Sequence, residues 1–339
     1  MTKSPITHLC MTHSPLTSMV FEAAMKSLNI PSAQTALLCR RAVPAGDRGR
    51  DVETLAVKLQ DAYKSYSAKQ CADLVRRLYQ HIDELTGGGA FHAYVPHTRQ
   101  ILLQEIIGHP RCEKYFFIEE GFTSMAWDSD WNPPPRGWKR LQNRLRDWRA
   151  GGAYRSDRPM FDIRSAKFAG AFAISKHAFA GMPNVSNITE LLPPLPPAEG
   201  PGHLYAILDT CYLHRGVPWQ AYEDALVKSA AAKVGNHSSV RIKFHFADQQ
   251  AEAHFKAVQS RLGKAGLTAE RLPSEFCVER ALVRGDLVLF GVSSLGYYAA
   301  LAGARVECFA NDIDGISIQE WISNHRLPPN FPQVVGLAG

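Results

Sequence analysis

The chain has 339 residues, 45% of them hydrophobic and 21% charged, which excludes a disordered or fibrous protein and is enough for two separate cores. A formal charge of +6 suits anionic partners but is too small for the basic footprint of a nucleic-acid binder. The seven cysteines, at 10, 39, 71, 112, 211, 277 and 308, are odd in number and never spaced CxxC, which argues against a disulfide framework or structural zinc and for a reducing compartment. The opening residues lack the apolar run of a signal peptide, and no run has the length to span a bilayer. The expected location is the cytoplasm.

Strand and helix signals alternate from the start. Ile6 to Met11 reads as a strand, and Leu16 to Leu28 as a helix entered through His13-Ser14-Pro15. Ala36 to Cys39 is a short strand, and Asp51 to Ala62 and Ala68 to Leu85 are helices, the second stopped by Gly87-Gly88-Gly89. Phe91 to Val95, a helix from about Thr98 to Ile107, and Tyr115 to Ile118 continue the pattern.

Leu192-Pro-Pro-Leu-Pro-Pro-Ala-Glu-Gly-Pro-Gly202 cannot form a regular element and reads as a semi-rigid linker. It divides the chain into a first domain (1–191), the linker (192–202), a second domain (203–325) and a tail (326–339). In the second domain His203 to Leu208 is a strand, and Pro218 falls at the first position of a helix running to about Lys233. Val240 to Phe246 and Leu287 to Phe290 are further strands, each followed by a helix, at Gln249 to Lys264 and from Ser293-Ser294. Ala304 to Ala310 and a helix near Ile316 to Asn324 complete it. Repeated βα units imply parallel sheets covered on both faces, hence an α/β chain of two doubly wound domains. Such domains bind ligands at the carboxyl ends of their strands, and the expectation is a cleft between them.

Three strand ends carry chemistry. Glu119-Glu120-Gly121 closes an apolar strand with adjacent carboxylates. The pair is either solvated before a turn glycine, or half-buried so that one member acts as a base. In Arg241-Ile-Lys-Phe-His-Phe246, alternation puts Arg241, Lys243 and His245 on one face, an arrangement that faces an anion or serves a structural end. Ser293-Ser294 follows a buried strand at a helix N-terminus. It is either a simple cap or an anion site, since the unpaired N–H groups and the dipole favour negative charge there.

Taken in order, these segments resemble the bacterial sialyltransferases of GT-B fold, in particular the lipooligosaccharide sialyltransferase and capsular polysialyltransferase group. That group carries an acidic-acidic-Gly motif, a Lys-Pro-His-Pro-like motif and a Ser-Ser motif, matched by Glu119-Glu120-Gly121, Lys243-Phe244-His245-Phe246 and Ser293-Ser294. Leu272-Pro273-Ser274-Glu275 resembles the group's Pro-x-Glu segment, and Thr12-His13-Ser14-Pro15-Leu16 its Thr-Pro-Leu loop. Phe244 and Phe246 replace both prolines of the His motif, which bears on the choice of donor.

The resemblance implies two Rossmann-like domains facing a cleft, with an acceptor-binding first domain and a CMP-sugar-binding second one. Glu120 would be the base on the acceptor hydroxyl, and His245 would lie against the donor phosphate as acid or charge stabiliser. Ser293 and Ser294 would hold that phosphate, and Glu275 and Lys243 would face the cytidine ribose. Glu119, Ser14, Trp127 and Trp131 are acceptor-binding candidates. The implied activity is inverting, metal-independent transfer of sialic acid or a related nonulosonic acid from its CMP donor to a bacterial surface glycan or glycolipid. It uses no cofactor, the CMP-sugar being a co-substrate. A transferase for another CMP-keto sugar such as CMP-Kdo, or a non-catalytic nucleotide-binding or membrane-associated protein of the same fold, are the alternatives. Asp128-Ser-Asp130 has the spelling of a metal motif but lies beyond the acidic strand end in a Trp/Pro-rich loop.

The segment Trp127 to Ala150 holds four of the six tryptophans. In Trp138-Lys-Arg-Leu-Gln-Asn-Arg-Leu-Arg-Asp-Trp-Arg149, Trp138, Leu141, Leu145 and Trp148 share one helical face and cations fill the rest. That stripe either packs on the domain or lies on an anionic membrane, in which case the protein is peripheral on the inner face of the inner membrane.

Overall fold

A computed structural model describes residues 5–40, 49–127, 137–152, 154–192, 194–214, 216–245, 247–324 and 327–337. Trp131, Asp128, Asp130 and Phe246 lie outside the described residues. The chain divides into two compact units, Met1–Leu192 and Pro193–Gly339.

The first unit is built on β1 (His8–Thr12), β2 (Thr35–Cys39), β3 (Gly49–Asp51), β4 (Phe91–Val95), β5 (Cys112–Ile118), β6 (Phe168–Ala173) and β7 (Val185–Asn187). Its helices are α1 (Pro15–Ser27), α2 (Glu53–Lys64), α3 (Ala68–Thr86), α4 (Ile101–Gly108) and α5 (Gly137–Arg149). The strands form one parallel sheet in the order β3-β2-β1-β4-β5-β6-β7. β1 and β4 are neighbours although two strands and the three helices α1, α2 and α3 separate them along the chain. The winding therefore reverses between them, and the crevice outside their carboxyl ends is where such sheets take ligands.

Helix α3 shows how the sequence builds this layer. Cys71, Leu74, Leu78 and Ile82 recur at three- and four-residue spacing and all are buried. Gly87 then adopts φ 61°, a left-handed cap that L side chains seldom enter, and ends the helix. Buried side chains such as Leu78, Ile82, Val95, Ile106 and Phe117 join one core, each worth about 1.5–3 kcal/mol relative to exposure.

The second unit contains β8 (Leu204–Ile207), β9 (Ser239–Lys243), β10 (Thr268–Arg271), β11 (Leu287–Phe290) and β12 (Arg305–Cys308). Its helices are α6 (Cys211–His214), α7 (Trp219–Ala231), α8 (Ala251–Lys264), α9 (Val278–Ala281), α10 (Ser294–Leu301), α11 (Ile318–Ser323) and α12 (Phe331–Val334). The parallel order β10-β9-β8-β11-β12 repeats the reversal, here between β8 and β11. Both units are thus α/β with a doubly wound parallel sheet.

Several expectations shift. The strand expected over Val240 to Phe246 ends at Lys243, so His245 stands in the following loop and the alternation does not reach it. Pro218 is the N-cap of α7, one position before its expected place. Thr98 is held outside α4, because its N–H and hydroxyl bond the carbonyls of Met160 and Pro159 at 2.7 Å each. The proline-rich segment is not a free spacer. The Pro196 carbonyl accepts from the Arg284 N–H at 2.7 Å, and Asp286 accepts from the His203 N–H, which fastens the segment to the second unit. The C-terminal segment is likewise packed: Phe331 is buried, stacked parallel to Tyr297, whose hydroxyl donates to Asn330 at 3.1 Å.

Candidate functional site

In the first unit, β1 delivers the chain to a loop fixed by hydroxyls. Thr12 Oγ1 lies 2.7 Å from Thr17 Oγ1, and the Thr17 hydroxyl reaches the Ser14 carbonyl, also at 2.7 Å. Ser14 caps α1: its Oγ accepts from the Thr17 N–H at 3.2 Å, while Thr17 Oγ1 accepts from the Ser14 N–H at 3.3 Å. Pro15 supplies the helical φ at the first position. Ser14, expected to touch an acceptor, is thus the cap of α1, its Oγ accepting at the helix start.

That loop holds His13 almost fully buried, with Nε2 in direct contact with Glu120 Oε1. Glu120 follows β5 and keeps 18% of its side chain exposed, against 1% for His13. Its backbone N–H donates to Ser124 Oγ at 3.0 Å, and Gly121, at φ 110°, turns the chain immediately afterwards. His97, after β4, places its ring 6.1 Å from that of His13. The His97 Nδ1 accepts from the Arg99 N–H, which leaves the neutral ring's proton on Nε2. Three strand ends beside the reversal of winding thus bring two imidazoles and an accessible carboxylate together.

Glu119 does the opposite of what its neighbour does. It is fully buried, and its Oε2 accepts from the Ile174 and Ser175 N–H groups at 2.6 and 2.9 Å, tying the end of β6 to β5. The two carboxylates point to different places, so their adjacency in sequence creates no like-charge pair to be solvated. Glu119, expected as an acceptor-binding residue, is thus placed inside the unit with its Oε2 on two backbone N–H groups. Trp127 is half-buried against the core, with its indole N–H on the Ala180 carbonyl at 2.7 Å.

In the second unit, Asp209 stands at the reversal of winding. Its Oδ1 accepts from the Cys211 N–H at 2.7 Å, and its Oδ2 accepts from the Val292 N–H at 2.6 Å and the Tyr222 hydroxyl at 3.0 Å. This buried carboxylate joins the exits of β8 and β11 and shapes the turn before α10. Ser293 caps α10, accepting from the Leu295 N–H at 3.2 Å, and Ser294 is the helix's first residue. Capping by one lone pair leaves the Ser293 hydroxyl proton able to donate, so cap and anion site are compatible there.

Lys243 ends β9 with its Nζ on the carbonyls of Pro273 and Ser274 at 2.7 and 2.5 Å. Burial lowers its pKa, partly countered by Glu279 and Glu275. Lys243, expected to face a ribose, here holds the turn that carries Glu275. Glu275 itself is exposed, its pKa lowered by its own backbone N–H and by the Ser274 hydroxyl 3.0 Å from Oε2. His245 accepts from the Ala247 N–H through Nδ1, which places the proton of the neutral ring on Nε2. Behind this loop Asp248 is held by the Tyr212 hydroxyl at 2.8 Å and His254 Nδ1 at 2.9 Å, and the His254 ring stacks on Trp219 at 3.9 Å.

Sequence reasoning missed His13, His97 and Asp209. His13 lies inside the Thr-His-Ser-Pro loop that the sequence singled out, so the signal was present but read one residue late. His97 and Asp209 each stand two residues after the end of a short strand, the position at which ligands meet doubly wound sheets. Among the described residues no group of three or more His, Cys, Asp or Glu side chains is arranged around a common metal position.

No family model and no curated protein sequence matches the chain. Among solved structures it is similar to a Photobacterium sp. JT-ISH-224 2,6-sialyltransferase in a ternary complex with CMP and lactose, at 11% identity and TM-score 0.48, over 98% of this chain and 77% of that one. A sialyltransferase from Photobacterium damsela gives 9% identity and TM-score 0.46, over 99% and 80%. A UDP-GlcNAc 2-epimerase from Neisseria meningitidis bound to UDP-GlcNAc gives 9% and 0.43, over 97% and 98%.

Proposed function

We propose that the chain is a glycosyltransferase of GT-B type that moves sialic acid, or a related nonulosonic acid, from its CMP donor to a hydroxyl of a bacterial surface glycan or glycolipid. The observation that carries this reading is the His13–Glu120 contact at the carboxyl ends of β1 and β5. It supplies an accessible carboxylate, oriented by a buried imidazole, at the place where a doubly wound sheet takes its ligands.

In this mechanism Glu120 accepts the proton of the acceptor hydroxyl as its oxygen attacks the anomeric carbon of the donor sugar. The bond from that carbon to the phosphate oxygen breaks in the same displacement, and the electron pair leaves with CMP. Attack opposite the leaving group inverts a β-linked donor to an α product. The charge gathering on the phosphate is met by the N-terminus of α10, by the hydroxyls of Ser293 and Ser294, and by the Nε2–H of His245. Glu275 accepts from the ribose hydroxyls, and Lys243 keeps the Glu275 turn in place. No metal or cofactor takes part in this reading.

Thermal melting with nucleotides tests the donor. A ligand that binds only the folded state stabilises it by RT ln(1 + [L]/Kd), about 2.7 kcal/mol at a hundredfold excess over Kd. CMP should raise the melting temperature while UMP and GDP leave it in place. Stabilisation by UMP and not CMP, or by no nucleotide, would overturn the donor assignment. Product analysis with CMP-sialic acid and CMP-Kdo then separates the two keto sugars.

A further inference from the structure

The helix α5 is docked with its polarity reversed. Its contacts with the rest of the unit are polar: Arg140 and Arg144, themselves about half exposed, reach the buried carboxylate of Asp157 at 3.2 and 3.1 Å. Asp147, also buried, accepts from the Ser156 N–H and hydroxyl at 2.8 and 3.0 Å and from the Tyr63 hydroxyl. Arg146 lies over the Tyr63 ring at 5.5 Å. The apolar stripe is consequently turned outward. Trp138, Leu141, Leu145 and Trp148 are 69, 46, 51 and 74% exposed, although they recur at the spacing that ordinarily buries a helix.

Charge decides what covers that stripe. The helix carries Lys139, Arg140, Arg144, Arg146 and Arg149, and its one acid, Asp147, is buried and engaged. Arg140 and Arg144 are tied to Asp157 and Arg146 lies over Tyr63, so Lys139 and Arg149 are the exposed cations that meet an external surface, and a second copy of α5 would bring them no carboxylate of its own. An anionic bilayer surface complements both features at once. Its acyl boundary accepts the leucines, its headgroup level accepts the indoles at the two ends, and its lipid phosphates accept the flanking cations. Thirteen residues rise about 20 Å, so the helix lies in the plane of the surface, and no helix among the described residues is long and apolar enough to cross a membrane.

We propose that α5 is an interfacial membrane-binding helix that seats the first unit on bilayers rich in anionic phospholipid. The inference stands apart from the glycosyltransferase reading, since neither its residues nor its test involves the strand-end groups.

The test is vesicle co-sedimentation of the full chain with phosphatidylcholine alone and with phosphatidylcholine containing about a third phosphatidylglycerol. Two variants alter only outward residues, Trp138→Ala with Trp148→Ala and Lys139→Glu with Arg149→Glu, and their melting temperatures should match the parent. The parent should bind the anionic vesicles and not the neutral ones. Each double variant should weaken that binding by at least about tenfold, and salt at about 0.5 M should release the parent. No binding by the parent, equal binding to both vesicles, or undiminished binding by the two variants would overturn the proposal. Self-association that the tryptophan pair abolishes in sedimentation velocity would overturn it too, in favour of a second copy.

Discussion

Glu120→Gln and His13→Gln, singly and together, test the roles given to the strand-end pair. Gln at 120 keeps the shape and a hydrogen-bonding oxygen for His13 but cannot take a proton from a hydroxyl. A positioned base contributes about 10²–10⁴ in rate, so loss of roughly a thousandfold in kcat is expected. His13 touches Glu120 rather than the acceptor, with 1% of its side chain exposed. Its contribution is that of a hydrogen bond to a charged group, about 1.5–3 kcal/mol. At 1.4 kcal/mol per tenfold, His13→Gln should cost on the order of 10 to 150-fold.

The double variant separates positioning from independent catalysis. If His13 works only through the carboxylate, its replacement costs nothing once position 120 is Gln, and the double variant turns over like Glu120→Gln alone. Single-turnover transfer from saturating CMP-sialic acid measures the rates, with CMP affinity followed separately by thermal shift. CMP affinity should stay within about threefold throughout, because these residues are assigned to the acceptor's proton. Losses that multiply in the double variant would refute the positioning role. A Glu120→Gln enzyme retaining more than about a tenth of the parent rate would refute Glu120 as the base.

Two further predictions concern stability. Asp209→Ala removes the acceptor for the Val292 and Cys211 N–H groups and the Tyr222 hydroxyl, all buried. It should cost about 3–5 kcal/mol in denaturant unfolding, and a loss below about 1 kcal/mol would show that the turn before α10 does not depend on it. Burial, reinforced by His92, lowers the His8 pKa from 6.5 to about 4. Below pH 6.5 the unfolded chain therefore takes a proton that the folded state refuses until about pH 4. Stability falls across that window and levels beneath it, by on the order of 3 kcal/mol at 1.36 kcal/mol per pH unit. In urea titrations at pH 7, 5.5 and 4.5, His8→Gln should flatten the decline, and an unchanged slope would contradict the assignment.

The central strands were legible because they are buried on both faces. Leu287–Phe290 is an uninterrupted apolar run and Phe91–Val95 is broken only by His92, so their limits follow from the sequence alone. The edge strands Gly49–Asp51 and Thr268–Arg271 have one neighbour each and largely exposed side chains, so they carry no apolar run to mark them. Phe168–Ala173 escaped notice for a different reason. Its alternation of phenylalanine with alanine and glycine matches neither a strand stripe nor a helix period.

At the site, residue type and order indicated which loops matter, while the assignment of roles within each loop needed coordinates. A hydroxyl before Pro15 is an N-cap by local geometry, so the feature that made Ser14 conspicuous is the start of α1, and the side chain that meets Glu120 is the preceding His13. The pair Glu119-Glu120 divides likewise. Successive residues leaving a strand point to opposite sides, so one carboxylate enters the β6 turn and the other meets His13. Helix α5 follows the same logic at larger scale. Periodicity shows that one face is apolar, but not which face turns inward. Asp157 and Asp147 decide that, because each would be a buried charge without Arg140, Arg144, Ser156 and Tyr63. Leaving such a charge unpaired is costlier than leaving a Leu or Trp in water, so the polar face takes the interior and the apolar stripe is left for an external surface.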